Sequence, residues 1–188
     1  MAASDPYRMK PRAVTLFLLL FGLSVSAVSS EYEQVDIYKD LRGQALALNS
    51  ESLQPRNGLL VLLMETGYGD AVVTVLAAAD GSASIYFSNG GGLIGAGEYE
   101  QVREVVFETL SEAVGHLERL EETDAYPLPE PGRTRFYAVT DHGVFTAEAL
   151  EDLLGNDRHA LSPLFHQVHK LIAYMRAADE HRRSQETE

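Results

Sequence analysis

The chain has 188 residues, 45% of them hydrophobic, with 15 Lys+Arg against 28 Asp+Glu and a formal net charge of −13. That length suits one globular domain able to bury a core, and the acidic balance excludes a general affinity for nucleic acid or anionic lipid, because each phosphate contact needs a cation to replace released counterions. The absence of cysteine excludes disulfides, thiolate nucleophiles, iron–sulfur clusters and Cys-ligated zinc together.

Arg8, Lys10 and Arg12 precede a low-polarity run from Ala13 through Leu23, and Val25-Ser26-Ala27 fits the small-residue rule for cleavage after Ala27. Residues 1–27 therefore read as a signal peptide, and the protein as exported, periplasmic or secreted. The alternatives are a membrane anchor over residues 13–28, which approaches the roughly 20 apolar residues of a spanning helix, or a mis-assigned start that leaves a cytoplasmic protein. Residues 32–178 read as a single domain and 179–188 as a polar tail.

Within the domain, Tyr38, Leu41, Ala45 and Leu48 recur at helical spacing, and Gln54-Pro55-Arg56-Asn57-Gly58 stops that helix. Leu59–Met64 is a short apolar strand. Ala71–Ala79 and Ser82–Ser88 flank Asp80-Gly81, which predicts a hairpin with a two-residue type I′ turn and sets Val75 opposite Tyr86. A Gly-rich segment, Ser88–Gly97, leads into a helix from about Tyr99 to Glu121 with a stripe of Val102, Val106, Leu110, Ala113, Val114 and Leu117. Three prolines keep Tyr126–Gly132 extended. Arg133–Thr140 and Val144-Phe145 read as strands joined by Asp141-His142-Gly143. Thr146 then caps a helix over Ala147–Leu154, and Ser162-Pro163 opens the last helix, which runs to about Ala178.

This order predicts an α+β domain: an antiparallel sheet of about five strands packed with helices. Topologically it is loosely similar to the roadblock and profilin-like folds, which serve mostly as protein-binding scaffolds, although the strand count on either side of the central helix is the reverse of the roadblock order.

Three sets of strings also resemble an uncharacterised group of small bacterial α+β proteins of unknown function. They are Ser84-Ile85-Tyr86-Phe87-Ser88 with Gly90-Gly91-Gly92 and Ile94-Gly95; Pro129-Glu130-Pro131-Gly132-Arg133 with Arg135-Phe136-Tyr137; and Leu161-Ser162-Pro163-Leu164-Phe165. The likeness spans roughly residues 38 to 172 and implies no activity. The group does not generally carry an apolar leader, so this chain departs from it at the N-terminus.

Gly90-Gly91-Gly92-Leu93-Ile94-Gly95 satisfies G-x-G-x-x-G literally. Its preceding strand belongs to a hairpin, however, and Glu98 and Glu100 stand where a pyrophosphate would sit, so a structural loop is expected in place of a nucleotide site. His166 and His169 are three apart on the last helix, but His166 points away from its apolar stripe, and neither metal nor cofactor is expected. The residues most able to form a ligand or partner site are Ser88, Asn89, Gly91, Gly92, Arg133, Arg135 and His142. Two functional classes follow. The first is a non-catalytic exported module that binds a protein partner or small ligand through its sheet edge or the 88–97 loop. The second is a small hydrolase or other enzyme with a site near that loop, although no G-x-S-x-G singles out a nucleophile.

Overall fold

The structure, a computed structural model, describes residues 32–186, so the expected signal peptide or anchor lies outside the described residues. The chain forms helix α1 (Asp36–Leu46), strands β1 (Leu59–Gly67), β2 (Val72–Ala78), β3 (Ala83–Phe87) and β4 (Gly92–Leu93), and helix α2 (Glu100–Val114). Strands β5 (Glu121–Thr123), β6 (Arg133–Thr140) and β7 (Val144–Leu150) follow, and then helices α3 (Glu151–Gly155) and α4 (Ser162–Glu186). All seven strands join one open antiparallel sheet in the order β4-β3-β2-β1-β6-β7-β5.

The α+β class is as expected, but the sheet has seven strands where about five were predicted. The two additions are short edge strands, and two or three residues are too few to show a period. β4 pairs Gly92 with Tyr86 and Leu93 with Ile85, inside what reads as a glycine loop. β5 pairs Glu121–Thr123 with Thr146–Val144, inside what reads as a helix end. Helix α2 stops at Val114 because Gly115 weakens it, and a short 3-10 turn over Leu117–Arg119 redirects the chain.

The predicted helix over Ala147–Leu154 is also corrected: β7 continues to Leu150, and α3 covers only Glu151–Gly155. Thr146 does not cap a helix; its hydroxyl donates to the Phe136 carbonyl at 2.9 Å. Glu148 is drawn into the sheet by Arg133 and Arg135 of β6, and cross-strand pairs of opposite charge favour the strand. At the other end of the chain, α4 runs past Ala178 to Glu186, into the segment read as a tail. Asp179 pairs there with Arg182 and Arg183 at 2.8 Å each, at helical spacing.

The β2–β3 hairpin forms where predicted, with a one-residue shift in register: Val75 faces Ile85 and Leu76 faces Ser84. A type I′ turn needs positive φ at both central residues. Here Gly81 has φ +90° and Asp80 is not in the left-handed region. The connection takes in Ala79 as well, with Gly81 N–H donating to the Ala78 carbonyl and Ala78 N–H to the Ser82 carbonyl, both at 2.9 Å. Side chains alternate with a period of two, so the shift moves Ile85 onto the face of Val75 and Tyr86 onto the face of Thr74.

Two layers cover the sheet. On one face Leu62, Met64, Val75, Ile85, Phe136 and Ala138 pack against Val102, Val106 and Leu110 of α2 and Leu164, Val168 and Leu171 of α4. On the other, Leu60, Val61, Leu63, Tyr137 and Val139 pack against Ala45 and Leu46 of α1. Central strand β1 is buried along its whole length, which accounts for its unbroken apolar run.

Replacing Gly81 with Val should destabilise the protein by about 1 kcal/mol or more, because a β-branched side chain is strained at that φ and its Cβ would approach Arg103 Cγ to 2.5 Å. Urea unfolding measures it; an unchanged midpoint would mean that the turn does not require glycine.

Candidate functional site

One row of polar residues crosses the α1-covered face from strand to strand: Tyr86 on β3 opposes Thr74 on β2, Thr74 opposes Glu65 on β1, Glu65 opposes Arg135 on β6, and Arg135 opposes Glu148 on β7. Glu65 is 0% exposed. Arg42 of α1 grips it in the two-pronged geometry that guanidinium offers a carboxylate, Nε donating to Oε1 at 2.6 Å and Nη2 to Oε2 at 2.8 Å. Thr74 Oγ1 donates to Oε1 at 3.3 Å and lies 3.1 Å from the Tyr38 hydroxyl. Arg42 Nη2 also donates to the Tyr126 carbonyl at 3.0 Å, and its guanidinium lies 5.6 Å from the Tyr137 ring centroid.

These charges act on the surrounding phenols. Burial first, and then the charge of Glu65, pushes the Tyr38 and Tyr86 hydroxyls well above the usual tyrosine range and Tyr137 up to about 12. Tyr137 keeps its proton in a 2.6 Å bond to the Pro127 carbonyl. Every charged group at the centre of this row is spoken for from within the chain, which makes the cluster an internal brace.

The row becomes accessible at its β7 end. Arg133 Nε and Arg135 Nη2 donate to the two oxygens of Glu148, whose side chain is 17% exposed. Beside it a cavity of about 540 Å³ is lined by Arg119, Glu121, Arg135, Thr146, Ala147, Glu148, His159, Ala160 and Leu161. β5 covers only Val144–Thr146 of β7, so the strand edge beyond is uncovered by the sheet. Hydrogen-bonding direction alternates along an antiparallel strand. Glu151 N–H donates inward to the Gly132 carbonyl at 3.0 Å, and Gly143 accepts from Thr140 N–H at 2.9 Å. By that alternation the N–H and C=O of Glu148 and the N–H of Leu150 point outward from β6, while the Leu150 carbonyl opens the hydrogen bonding of α3.

The sequence-expected residues separate into three places. Ser88 is fully buried and fastens the end of β2: its Oγ accepts from Val72 N–H at 3.0 Å, and its N–H donates to the Val72 carbonyl at 2.9 Å. Asn89 and Gly91 are exposed on the turn that follows. Gly92 returns in β4 with φ +146°, so close to β3 that a Cβ would collide with the Ile85 carbonyl oxygen. The glycine motif therefore builds a turn and an edge strand. Arg133 and Arg135 come together on Glu148. His142, its side chain 85% exposed and 3.5 Å from Asp141, sits on the β6–β7 turn at the end of the sheet opposite Ser88. The seven residues do not meet in one concavity.

Among the described residues there is no group of three or more His, Asp or Glu that could hold a metal ion, and no helix long and apolar enough to cross a membrane. His166 Nε2 lies 2.9 Å from Asp157 Oδ1, while His169 packs on the Phe165 ring, where burial lowers its pKa. No family model, curated protein or solved structure matches the chain.

Sequence reasoning missed Arg42, Glu65 and the β7 edge with Arg119, Glu121 and Glu148. The first pair did leave a signal: a carboxylate directly after an apolar run, and an arginine four residues after Tyr38 on the face that α1 buries.

Changing Arg42 to Ala strands the Glu65 carboxylate and should cost about 3–5 kcal/mol in urea unfolding. The double change Arg42→Met with Glu65→Leu should recover most of that loss, since apolar replacement of a buried pair is often neutral; a double variant as unstable as the single one would refute the brace. In alkali, tyrosine ionisation read by tyrosinate absorbance should be delayed to about 12 for Tyr137 and Tyr68. Because their folded pKa values are raised, the associated stability is complete below the unfolded value of about 10 and falls as pH rises through the folded values.

Proposed function

We propose that the protein is a non-catalytic exported module that binds a protein partner by taking an extended segment of it onto the free edge of β7. The observation that carries this reading is the outward-facing N–H and C=O of Glu148 and N–H of Leu150 beside the 540 Å³ cavity. An exposed strand edge is a template for another strand, and main-chain hydrogen bonds supply affinity without demanding a particular sequence. The cavity adds apolar walls from Ala147, Ala160 and Leu161, so an added strand has somewhere to place alternate side chains. Export rests on the pattern of residues 1–27 alone. The hydrolase alternative draws no support from Ser88, whose hydroxyl is engaged by Val72.

Leu150 makes the reading testable with little damage to the fold. Its φ is −64°, the value proline imposes, its side chain is exposed and its N–H points outward. Leu150→Pro should therefore leave the unfolding midpoint nearly unchanged while removing a donor that strand addition needs. The full chain is titrated with a dye-labelled, end-capped peptide of alternating Thr and Val, followed by anisotropy and by amide exchange at Glu148 and Leu150. Binding with slowed exchange at both amides, lost in Leu150→Pro, is the expected result. Binding that the proline leaves intact, or no binding, would reject the β7 edge as the site.

A further inference from the structure

The free stretch of β7 is blocked at one end, and the direction of β5 decides which end of an added strand meets the block. β5 runs antiparallel to β7, with Glu121 opposite Thr146 and Thr123 opposite Val144, so its chain begins beside Thr146 and leads away from Leu150. Leu120, just before it, is still extended, at φ −102° and ψ 147°, and holds the place in line opposite Ala147. Every strand pairing in the sheet is antiparallel. A strand added to Glu148–Leu150 in the same sense therefore enters beside Leu150 and runs into the turn over Leu117–Arg119, where its carboxyl end must stop or leave the sheet.

The 540 Å³ cavity lies at that stop, since the β7 residues that line it are Thr146, Ala147 and Glu148. It is rich in donors and short of acceptors. Arg133 and Arg135 share one carboxylate, that of Glu148, and Arg135 Nε is buried with no hydrogen-bond partner. Arg119 has no carboxylate partner among the described residues; its Nη1 donates to the Gly115 carbonyl at 3.2 Å and lies 3.4 Å from His116 Nδ1. His159 Nδ1 accepts from the Leu161 N–H at 3.2 Å, so the neutral ring carries its hydrogen on Nε2, as a donor. Of the nearby acids, Glu121 lines the cavity, Glu118 does not, and Glu122 is turned toward Gly143. The three guanidiniums of Arg119, Arg133 and Arg135 thus stand against the two carboxylates of Glu121 and Glu148. A surplus of one positive charge matches a carboxylate, and a phosphate dianion would overfill it.

We infer that the occupant of the β7 edge is the free C-terminus of a partner chain, its last residues along Glu148–Leu150 and its terminal carboxylate in the cavity with Arg119. This inference rests on the strand-addition reading and adds to it which part of the partner is bound and in which direction. A chain end meets both local conditions at once. It stops where β5 begins, and it brings the one negative charge that Arg119 lacks, with His159 Nε2 as a second donor.

The test compares three Thr/Val peptides, dye-labelled at the N-terminus, that differ only at the carboxyl end: a free acid, an amide, and an amide whose last residue is Glu. Each is titrated by anisotropy against the full chain and against its Arg119→Gln and Leu150→Pro variants. The free acid should bind about three- to tenfold more tightly than the plain amide, between the worth of an exposed ion pair and that of a hydrogen bond to a charged group. That advantage should vanish in Arg119→Gln, where the exposed side chain can be replaced without disturbing the core, and shrink with added salt. Equal binding of the acid and the plain amide, an acid preference that survives Arg119→Gln, or a Glu-ended amide that binds as tightly as the free acid overturns the chain end and leaves strand addition standing. Binding of none of the three peptides, or binding indifferent to Leu150→Pro, removes strand addition itself and this inference with it.

Discussion

A carboxylate fully buried in the central strand of a sheet is the constraint on which the remaining structure is arranged. Glu65 is fully buried, and an uncompensated charge there would cost a large share of the domain's margin of stability. Its partner cannot come from the neighbouring strands alone, because Arg135, directly opposite, is committed to Glu148. The cation comes instead from α1, and that choice fixes the helix. Tyr38 and Arg42, one turn apart, must both face the sheet, and Arg42 then reaches the Tyr126 carbonyl and the Tyr137 ring. The proline-bearing segment is fastened by the same neighbourhood, with Tyr137 donating to the Pro127 carbonyl and Tyr32 to that of Pro129.

The same row of residues carries the constraint to the edge of the sheet. The one-residue register of the β2–β3 hairpin brings Tyr86 into line with Thr74 and Glu65, and places Ile85 in the opposite core. At the far end, the grip of Arg133 and Arg135 on Glu148 holds β7 in strand conformation through Leu150, past the point where β5 stops. The open edge is thus a product of the ion pairs. Without them, Ala147–Leu154 has the composition of a helix.

How much of this was legible in the sequence follows from which forces were local. The α+β class, the β2–β3 hairpin, the start of β6 and the Ser162 opening of α4 were readable because turn chemistry and periodicity are properties of adjacent residues. β4 and β5 were not, because such short strands exist only as partners of β3 and β7. The extent of β7 was hidden for a related reason: Glu148 is an ordinary helix residue until two arginines from another strand claim it. Among the candidate site residues, Arg133 and Arg135 were found together, although their shared partner was not foreseen. Ser88 was noticed for its hydroxyl, which the fold uses to fasten β2, and His142 for its place in a turn, which is where it lies, between β6 and β7.

The strand order has a consequence for how the chain reaches this structure. β1 through β4 form one meander of successive neighbours, and β6 and β7 form a hairpin with β5 on its outer side, so every pairing but one lies within a half. The exception is the seam between β1 and β6, where Leu63 meets Tyr137 and the hydroxyls of Thr66 and Thr134 lie 2.9 Å apart. Hairpins close in microseconds, whereas a pairing so distant along the chain pays loop-closure entropy before its contacts form. The seam therefore sets the pace of folding. Until it closes, the apolar length of β1 is left as an unpaired edge on a half-formed sheet, so the slowest step is also the one most open to wrong association between chains.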